Sequence, residues 1–520
     1  MPTLRRRAGA LLAGLTAVAA LGALGAAPGT AQAAVAARNL PPDGKILALM
    51  GQDSDTLADY KRDVLDQPSL NAPSPGGVTL YTNLVLGGSP APLAGMTGPA
   101  NWGSGTVDFA RTLAQYPNSA LAVGLYLSDA TTGCTNQPLR AVIGTSDSDV
   151  TSGNPNLVSQ YRAKVDDMVN RLKGYNRQVF LRIGYEADGP WNCYNADYYK
   201  KAFAYIKGRI DALGATKVAT VWQTAAWPLD TSRDHPEWNY VVTDPGHYDA
   251  WYPGDQYVDW VGLSAFYGTG SVNTQWGCSS YDTSPTGLQS RVLDFARGHG
   301  KPVMVAESSP QGYANGARTK SCIMRKNPTA TSADTIWNEW YQPYFSWITA
   351  NRDVIRAAAY INTDWDAQTQ WQCADGAQAG GPGCSNGYWG DARVQADPTI
   401  RDRFLAQLRG SQWVGGGATT TPTPPPTDPP SQGDFTQGVT SGSNPVIWFK
   451  PKAPATFVTV HYRVNGGTQA NYFLDWVAAD GRWEKPVPLR SGDTLSYTFD
   501  YQPSGQTAQT TTAAFTYRAP

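Results

Sequence analysis

The sequence predicts an α/β fold, a (β/α)8 TIM barrel, followed by a small all-β sandwich domain. Three observations support this. Between residues 39 and 412, eight short apolar runs alternate with amphipathic stretches, as parallel strands alternate with helices. A Pro-, Thr- and Gly-rich stretch follows at 413–433, a composition typical of an extended linker. Beyond it, at 434–520, short alternating segments are separated by turn residues, which is typical of a β-sandwich.

The apolar runs are bounded by turn residues, as buried parallel strands usually are. The eight runs are Lys45–Met50, Gly77–Val85, Ala120–Leu127, Gln178–Gly184, Lys217–Gln223, Tyr257–Tyr267, Lys301–Ala306 and Ile355–Asn362. Apolar residues at three- and four-residue spacing predict helices at Asn156–Gly174, Ala196–Leu213 and Leu288–Gly298. A doubly wound sheet is the alternative, but the first run is followed by Gly51-Gln52-Asp53 and not by a glycine-rich nucleotide loop.

Residues 1–34 have the organisation of a signal peptide. A charged start at Arg5-Arg6-Arg7 precedes an apolar stretch, Ala8–Ala27, and a small-residue cleavage motif, Ala31-Gln32-Ala33. No later run approaches the roughly 20 apolar residues of a membrane span. We therefore expect a secreted, extracellular protein with no membrane contact in its mature form.

Charge and aromatic content together point to an uncharged polymer as partner. The net charge is −1 and only 16% of residues are charged, so no polycationic surface is expected for nucleic acid or anionic lipid. Tryptophan is abundant, with 18 residues, many of them beside Gly, Asn or Asp. Because flat indole faces stack on sugar rings, we expect a neutral polysaccharide as the partner of a monomeric protein.

Six cysteines in an exported protein favour disulfides over metal binding. The sequence alone allows many pairings. We expect Cys134–Cys193, Cys278–Cys322 and Cys373–Cys384, because each of these cysteines follows a predicted strand and the bridges would then brace loops on one barrel face. The sequence has no CxxC spacing and no histidine pair at ligand spacing, so neither a metal nor a cofactor is expected.

Two glutamates end the fourth and seventh predicted strands. They close the segments Gln178-Val-Phe-Leu-Arg-Ile-Gly-Tyr-Glu186 and Lys301-Pro-Val-Met-Val-Ala-Glu307. Residues at the C-terminal ends of barrel strands face the active site. Two carboxyls placed there are the equipment of retaining glycoside hydrolysis, one as acid/base and one as nucleophile.

The two carboxyls need different surroundings, because the acid must hold a proton near neutral pH and the nucleophile must be ionised. Tyr185 and Trp191 give Glu186 apolar neighbours, and the two serines after Glu307, Ser308 and Ser309, could donate hydrogen bonds to it. The alternative for each glutamate is a simple ion pair with an arginine, and Arg182 is close in sequence to Glu186.

These segments resemble the clan A glycoside hydrolases, and family 26 in particular. The similarity runs through Arg182–Trp191, Tyr257–Leu263 and Lys301–Ser308. It implies a barrel with Glu186 as acid/base and Glu307 as nucleophile. One position departs from the clan: the residue before the acid/base is usually Asn or His, and here it is Tyr185.

Further residues are expected to bind substrate. Asp188 lies in the same loop as Glu186 and could act as a second acid or brace the loop through hydrogen bonds. Tyr267, at the end of the sixth predicted strand, could bond the nucleophile, with a half-buried tyrosine as the alternative. Trp365 resembles the platform tryptophan that follows the eighth strand in this clan. The other expected substrate contacts are Trp191 and Trp227.

The tail resembles carbohydrate-binding module family 56, which is associated with β-1,3-glucan. The resemblance runs through Asn444–Pro451, Val460–Gly466 and Asn471–Trp476. Predicted strands are Phe457–Val464, Tyr472–Val477, Asp493–Tyr501 and Thr510–Tyr517. Candidate sugar-stacking residues are Trp448, Trp476 and Trp483. In the alternative, Trp448 and Trp476 alternate inward, which leaves Trp483 as the exposed one.

Together these features predict a secreted retaining endo-glycosidase with a polysaccharide-binding tail. The expected substrate is β-1,3-glucan, which follows from the resemblance of the tail. An endo-β-mannanase is the alternative suggested by the barrel. A non-catalytic polysaccharide-binding protein is the alternative of another class, and the glutamate pair argues against it.

Overall fold

The computed structural model describes residues 37–130, 133–144, 154–226, 244–266, 285–415, 435–440, 445–467, 469–478, 480–504 and 510–519. The predicted signal peptide lies outside the described residues, as do Trp227, Tyr267, Cys278 and residues 416–433 of the predicted linker. The first linker residues are described, and Trp413–Val414 form a short strand there.

Eight parallel strands close into a barrel, which confirms the predicted fold. Each strand pairs with the next, and the eighth pairs with the first. The strands are β1 (Ile46–Gly51), β2 (Gly77–Asn83), β3 (Ala120–Tyr126), β4 (Val179–Ile183), β5 (Val218–Thr224), β6 (Trp260–Ala265), β7 (Val303–Ser308) and β8 (Ile355–Ile361). Each of the eight predicted runs overlaps one of them, and three strands extend one or two residues beyond the C-terminal end of their run.

Helices surround the barrel, and the three predicted from apolar spacing are confirmed to within a few residues at each end. The helices are α1 (Ser54–Tyr60), α2 (Phe109–Gln115), α3 (Gln137–Ile143), α4 (Leu157–Gly174), α5 (Ala196–Ala212), α6 (His247–Trp251), α7 (Pro285–Gly298), α8 (Ala333–Ile336), α9 (Gln342–Ala350) and α10 (Pro398–Leu408). A four-stranded sheet outside the barrel contains Tyr313–Ala314, Thr319–Cys322, Arg325–Ala330 and Gly390–Asp391.

The strands are buried on both faces, and for this reason they appear in the sequence as continuous apolar runs. Inside the barrel, alternate strand residues form one cluster, which includes Leu49, Phe180, Trp260 and Met304. The opposite faces of the strands pack against the helices in a larger second cluster. This double burial makes the barrel a rigid support for the residues at its C-terminal end.

A short segment, Ala37–Asn39, closes the opposite end of the barrel. Ala37 packs on the interior cluster, and the Trp260 indole donates to the carbonyl of Arg38 at 2.7 Å. The Asn39 amide donates to the Val179 carbonyl at 2.8 Å and to the Lys217 carbonyl at 3.0 Å, at the starts of β4 and β5. We call Ala37–Asn39 the base segment.

The tail is a sandwich of two antiparallel sheets, as predicted. Its strands are β9 (Phe435–Val439), β10 (Val446–Pro451), β11 (Ala455–Val464), β12 (Ala470–Phe473), β13 (Asp475–Val477), β14 (Arg482–Pro486), β15 (Thr494–Pro503), β16 (Thr510–Thr511) and β17 (Phe515–Arg518). One sheet has the order β9-β10-β14-β13, and the other has β12-β11-β15-β16 with β17 also on β15. The predicted single strand Tyr472–Val477 is wrong, because the chain changes sheet at Leu474.

Two expected disulfides are present. Cys134–Cys193 joins the loops after β3 and β4, with Cα atoms 5.5 Å apart, and Cys373–Cys384 closes a loop after β8, with Cα atoms 4.1 Å apart. The third expected pair includes Cys278, which is outside the described residues. In the described part of the chain, no helix is long and apolar enough to cross a bilayer.

The base segment generates a stability prediction. Asn39 has a left-handed backbone, with φ +62°, and Asn39→Ala removes two hydrogen bonds to strand carbonyls. Asn71, with φ +42°, is the matched control, because Asn71→Ala changes the same backbone type at an exposed turn. We expect Asn39→Ala to lower the barrel's free energy of unfolding in urea by about 1–3 kcal/mol more than Asn71→Ala does. Equal losses would mean that the base segment contributes little.

Candidate active site

Glu186 and Glu307 both lie at the C-terminal end of the barrel. Glu307 is the next-to-last residue of β7 and stands opposite Ser264 of β6, beside a register shift in that strand pair. Such a bulge re-aims the side chains next to it. Glu186 follows β4 by three residues. The structure therefore brings together the two carboxyls that the sequence singled out.

The backbone that presents Glu186 has an unusual conformation. Gly184 and Glu186 have φ +55° and +52°, a left-handed region that a non-glycine residue seldom adopts. A Cβ on Gly184 would lie 2.8 Å from the ring of Tyr199, so this position also requires glycine for space. Strained residues of this kind cluster at functional sites, which agrees with a special role for Glu186.

A buried arginine holds Glu307. Arg182 of β4 is fully buried, and its Nη1 donates to Glu307 Oε1 at 2.6 Å. The guanidinium also lies over the rings of Tyr81, at 4.8 Å, and Tyr185, at 5.5 Å. Gln223 of β5 donates to the same Glu307 oxygen at 3.4 Å. These donors suit a carboxylate that must react as an anion.

Glu186 has a different environment. Ser264 donates to its Oε1 at 2.6 Å, and the Trp191 indole donates to its Oε2 at 3.1 Å. Burial, first, and the negative charge of Glu307, second, raise the pKa of Glu186 to about 8. The charge of Asp188 also raises this pKa, whereas the hydrogen bonds from Ser264 and Trp191 lower it. Near neutral pH Glu186 is therefore mostly protonated, which suits a general acid.

Asp188 occupies a bracing position. It is 3% exposed and accepts hydrogen bonds from the Thr224 hydroxyl, from the Ala225 amide at 2.7 Å and from His247 Nε2 at 2.9 Å. Burial opposes its ionisation, but these bonds, above all those from His247, outweigh it and lower the pKa of Asp188. Of the two roles considered from the sequence, this geometry favours bracing of the Glu186 loop over contact with substrate.

The aromatic residues expected to contact substrate differ in their exposure to solvent. Trp191 is 40% exposed beside Glu186, as a substrate-contacting residue would be. Trp365 is 2% exposed and packs against Phe266 and Trp389, and its indole donates to Ser309 at 3.2 Å. In this structure Trp365 is a buried packing residue next to the site and does not present an exposed face to substrate. Trp227 and Tyr267 are outside the described residues.

The sequence expectation for the two serines needs correction, whereas the ion-pair alternative is realised for Glu307. Ser308 bonds the Tyr344 hydroxyl and the Ala359 carbonyl, both at 2.7 Å, and Ser309 accepts from Trp365, so these serines are directed to other partners. Arg182 pairs with Glu307 on another strand, and not with Glu186 near it in sequence. The sequence analysis missed Gln223 and Ser264, whose only signal is that they are polar residues near the ends of apolar strands.

The tail tryptophans also differ from the predicted alternation. Trp476 is 53% exposed on the edge strand β13, whereas Trp483 is half-buried and packs on the sandwich core. Their rings meet with centroids 5.6 Å apart. Trp448 is half-buried, and Arg482 lies 4.8 Å over its ring. Tyr472 and Phe473, on β12 of the other sheet, are 46% and 67% exposed.

Asp188→Asn tests the bracing role. The amide nitrogen that replaces one carboxylate oxygen cannot accept hydrogen bonds, and leaving a buried donor unpaired costs about 1–3 kcal/mol, so we expect a loss of this size in the barrel's free energy of unfolding. Asp249→Asn, at an exposed residue of α6, is the control for loss of charge near His247 and should change stability little. A raised KM with unchanged stability would instead identify Asp188 as a substrate contact.

Comparison with known proteins finds relatives of both parts. Residues 437–512 match the model of carbohydrate binding module family 56. A beta-1,3-xylanase from Vibrio sp is 32% identical over 378 residues, which cover 72% of this chain and 67% of that protein. A beta-1,3-xylanase from Alcaligenes sp is 31% identical over 378 residues, which cover 72% of this chain and 66% of that protein. The chain thus spans about two thirds of the length of each.

Among solved structures, a family 26 beta-mannanase from Bacteroides ovatus is 14% identical, with a TM-score of 0.41 and coverage of 72% of this chain and 91% of that one. The resemblances drawn from the sequence are confirmed by the sequence relatives, by the module match and by the closed barrel of eight parallel strands. The chain belongs to the glycoside hydrolase family of these beta-1,3-xylanases, and its (β/α)8 barrel is followed by a tail that matches carbohydrate-binding module family 56.

Proposed function

We propose that this protein is a secreted, retaining endo-glycosidase that hydrolyses β-1,3-linked xylan. The observation that carries the substrate is the similarity to beta-1,3-xylanases over 378 residues. This length far exceeds the tail and linker together, so most of the similarity must fall on the barrel. The sequence analysis placed β-1,3-glucan first, and the relatives of the barrel move xylan ahead of it.

The proposed chemistry follows from the environments of the two carboxyls. The ionised Glu307 attacks the anomeric carbon while Glu186 transfers its proton to the glycosidic oxygen, and the carbon–oxygen bond breaks. Glu186, now ionised, then takes a proton from water, whose oxygen attacks the same carbon and releases Glu307. While Glu307 is esterified its charge is absent, so the pKa of Glu186 falls, which suits its role as base in this second step.

β-1,3-glucan is the second candidate, and the tail favours it. Family 56 modules are associated with that polymer, and the tail matches the family over residues 437–512. A binding module can recognise one component of a mixed cell wall while the barrel cleaves another. Binding to β-1,3-glucan and cleavage of β-1,3-xylan are therefore compatible in one chain, and they need separate measurements.

The test is an assay of reducing-end release from β-1,3-xylan, β-1,3-glucan, β-1,4-xylan and β-mannan. We expect β-1,3-xylan to be cleaved fastest, with short oligosaccharides as products and with retained anomeric configuration in the first NMR spectra after mixing. Preference for β-1,3-glucan would establish the second candidate. Release from mannan alone would support the endo-β-mannanase alternative. A product of inverted anomeric configuration would overturn the double-displacement mechanism.

Substitution of each glutamate should separate the two roles. Glu307→Gln keeps the shape of the nucleophile but removes its charge, so we expect a loss of turnover of at least about a hundredfold with every substrate. Glu186→Gln removes the acid, so it should impair polysaccharide cleavage but spare the first step on aryl xylosides, whose leaving group needs no proton. If the first step on aryl xylosides, measured as the initial burst of released phenol, slows as much in Glu186→Gln as in Glu307→Gln, Glu186 is not the acid.

Truncation of the tail should separate targeting from catalysis. Ending the chain after Gly415 retains Trp413–Val414, which pairs with β1 of the barrel. We expect this variant to keep its activity on short soluble oligosaccharides and to lose activity on insoluble polymer, because the avidity of a tethered module is lost.

In the full chain, Trp476→Ala is the matched variant, because this indole is more than half exposed, and Trp483→Ala tests the half-buried neighbour. Pull-down on particulate β-1,3-glucan, β-1,3-xylan, cellulose and mannan measures binding. Equal binding of the truncated and full chains to every polymer would contradict the targeting role.

A further inference from the structure

We propose that Gln223 and Ser264 are positioning residues for Glu186. With Arg182 they form a chain of hydrogen bonds in which every donor points toward Glu186. This chain makes Glu186 Oε1 an acceptor and leaves the acidic proton on Oε2. The inference deepens the proposed hydrolytic function and rests on it. The chain runs from Arg182 Nη1 to Gln223 Oε1 at 3.1 Å, from Gln223 Nε2 to Ser264 Oγ at 3.1 Å, and from Ser264 Oγ to Glu186 Oε1 at 2.6 Å.

The direction of the chain follows from the donors. A guanidinium has only donors, so the amide oxygen of Gln223 must face Arg182, since the reversed amide would place two donors together. The Gln223 nitrogen then faces Ser264 and Glu307 and can only donate. Ser264 must accept from it, and its single hydrogen is available for Glu186. Arg182 and Gln223 are fully buried and Ser264 is 3% exposed, so water does not compete along the chain.

The consequence concerns one proton. Oε1 accepts the shorter bond, 2.6 Å from Ser264, and Oε2 accepts the longer one, 3.1 Å from the exposed Trp191. Because the carbonyl oxygen of a protonated carboxyl is the better acceptor, the acidic hydrogen of Glu186 is held by Oε2. This is the side of the carboxyl that a substrate in the cleft can reach. Gln223 also contacts Glu307 Oε1 at 3.4 Å, so one amide sets the orientation of both carboxyls.

Other charged groups act on Glu186 and must be kept constant. Glu307 of β7 and Asp188 of the same loop raise its pKa, whereas the hydrogen bond from Ser264 lowers it. Arg182 of β4 is paired with Glu307, and His247 of α6 is paired with Asp188. None of these groups is altered by a change at Ser264, so loss of its hydroxyl should move the pKa of Glu186 upward.

The sequence offers a direct measurement, because it contains only five glutamates, at 186, 237, 307, 339 and 484. Carboxyl-labelled glutamate gives five carbon-13 signals in the full chain, and Glu186→Gln identifies the one that belongs to Glu186. We expect its titration midpoint to rise by about one unit in Ser264→Ala, to rise less in Gln223→Leu, and to return toward the wild-type midpoint in Ser264→Thr.

The matched control is Ser308→Ala, which removes another fully buried hydroxyl next to Glu307 without a bond to Glu186. Its midpoint should equal that of the wild type. In the kinetic arm, the high-pH fall of kcat/KM should move upward with the NMR midpoint in Ser264→Ala, with kcat at least about tenfold lower.

An unchanged midpoint in Ser264→Ala, or an equal shift in Ser308→Ala, would overturn the proposal. So would a lower kcat with an unmoved pH profile, since a purely structural role produces that result. The NMR arm requires no turnover. If the midpoint shifts but no polysaccharide is cleaved, the hydrogen-bond chain stands and the proposed function fails.

Discussion

The site depends on one buried positive charge. Arg182 has no exposed surface, and an arginine cannot lose its proton to avoid the cost of burial. It must therefore be neutralised and hydrogen-bonded within the barrel, which Glu307, Gln223 and Thr79 achieve. The small Gly124 on the neighbouring strand makes the space, because a Cβ there would lie 2.9 Å from the guanidinium. The carboxylate of Glu307 is the counter-ion of this charge.

Much of the fold could be predicted because parallel barrel strands are buried on both faces, and their sequences are correspondingly apolar. The same argument located Glu186 and Glu307, since a charged residue that ends such a run is conspicuous. The tail was harder. Its strands alternate, several are short, and the segment Tyr472–Val477 contains no Gly, Pro or Asn that would mark a turn, although the chain changes sheet at Leu474. This crossing explains why the alternative, in which Trp476 points inward, does not hold and the indole lies on the surface.

The supporting residues were out of reach for a different reason. Asp188 is braced by His247, and Gln223 contacts Ser264, across sequence separations of 59 and 41 residues. Each residue alone is an ordinary polar side chain, and only the closed barrel places it against its partner. Sequence patterns report which residues face the site, whereas the direction of a hydrogen bond depends on register between strands. The carboxyl pair was therefore predictable, and the hydrogen bonds that orient the two carboxyls were not.

The base segment has a consequence for the order of folding. Its partners lie far along the chain: Asn39 contacts β4 and β5 at separations of 140 and 178 residues, and Arg38 meets Trp260 at 222. Such distant contacts form after local ones, because the entropy of closing large loops must first be overcome. Although synthesised early, this segment should be the last part of the barrel to dock and among the first to detach. Unfolding would then begin at the end of the barrel furthest from the two glutamates.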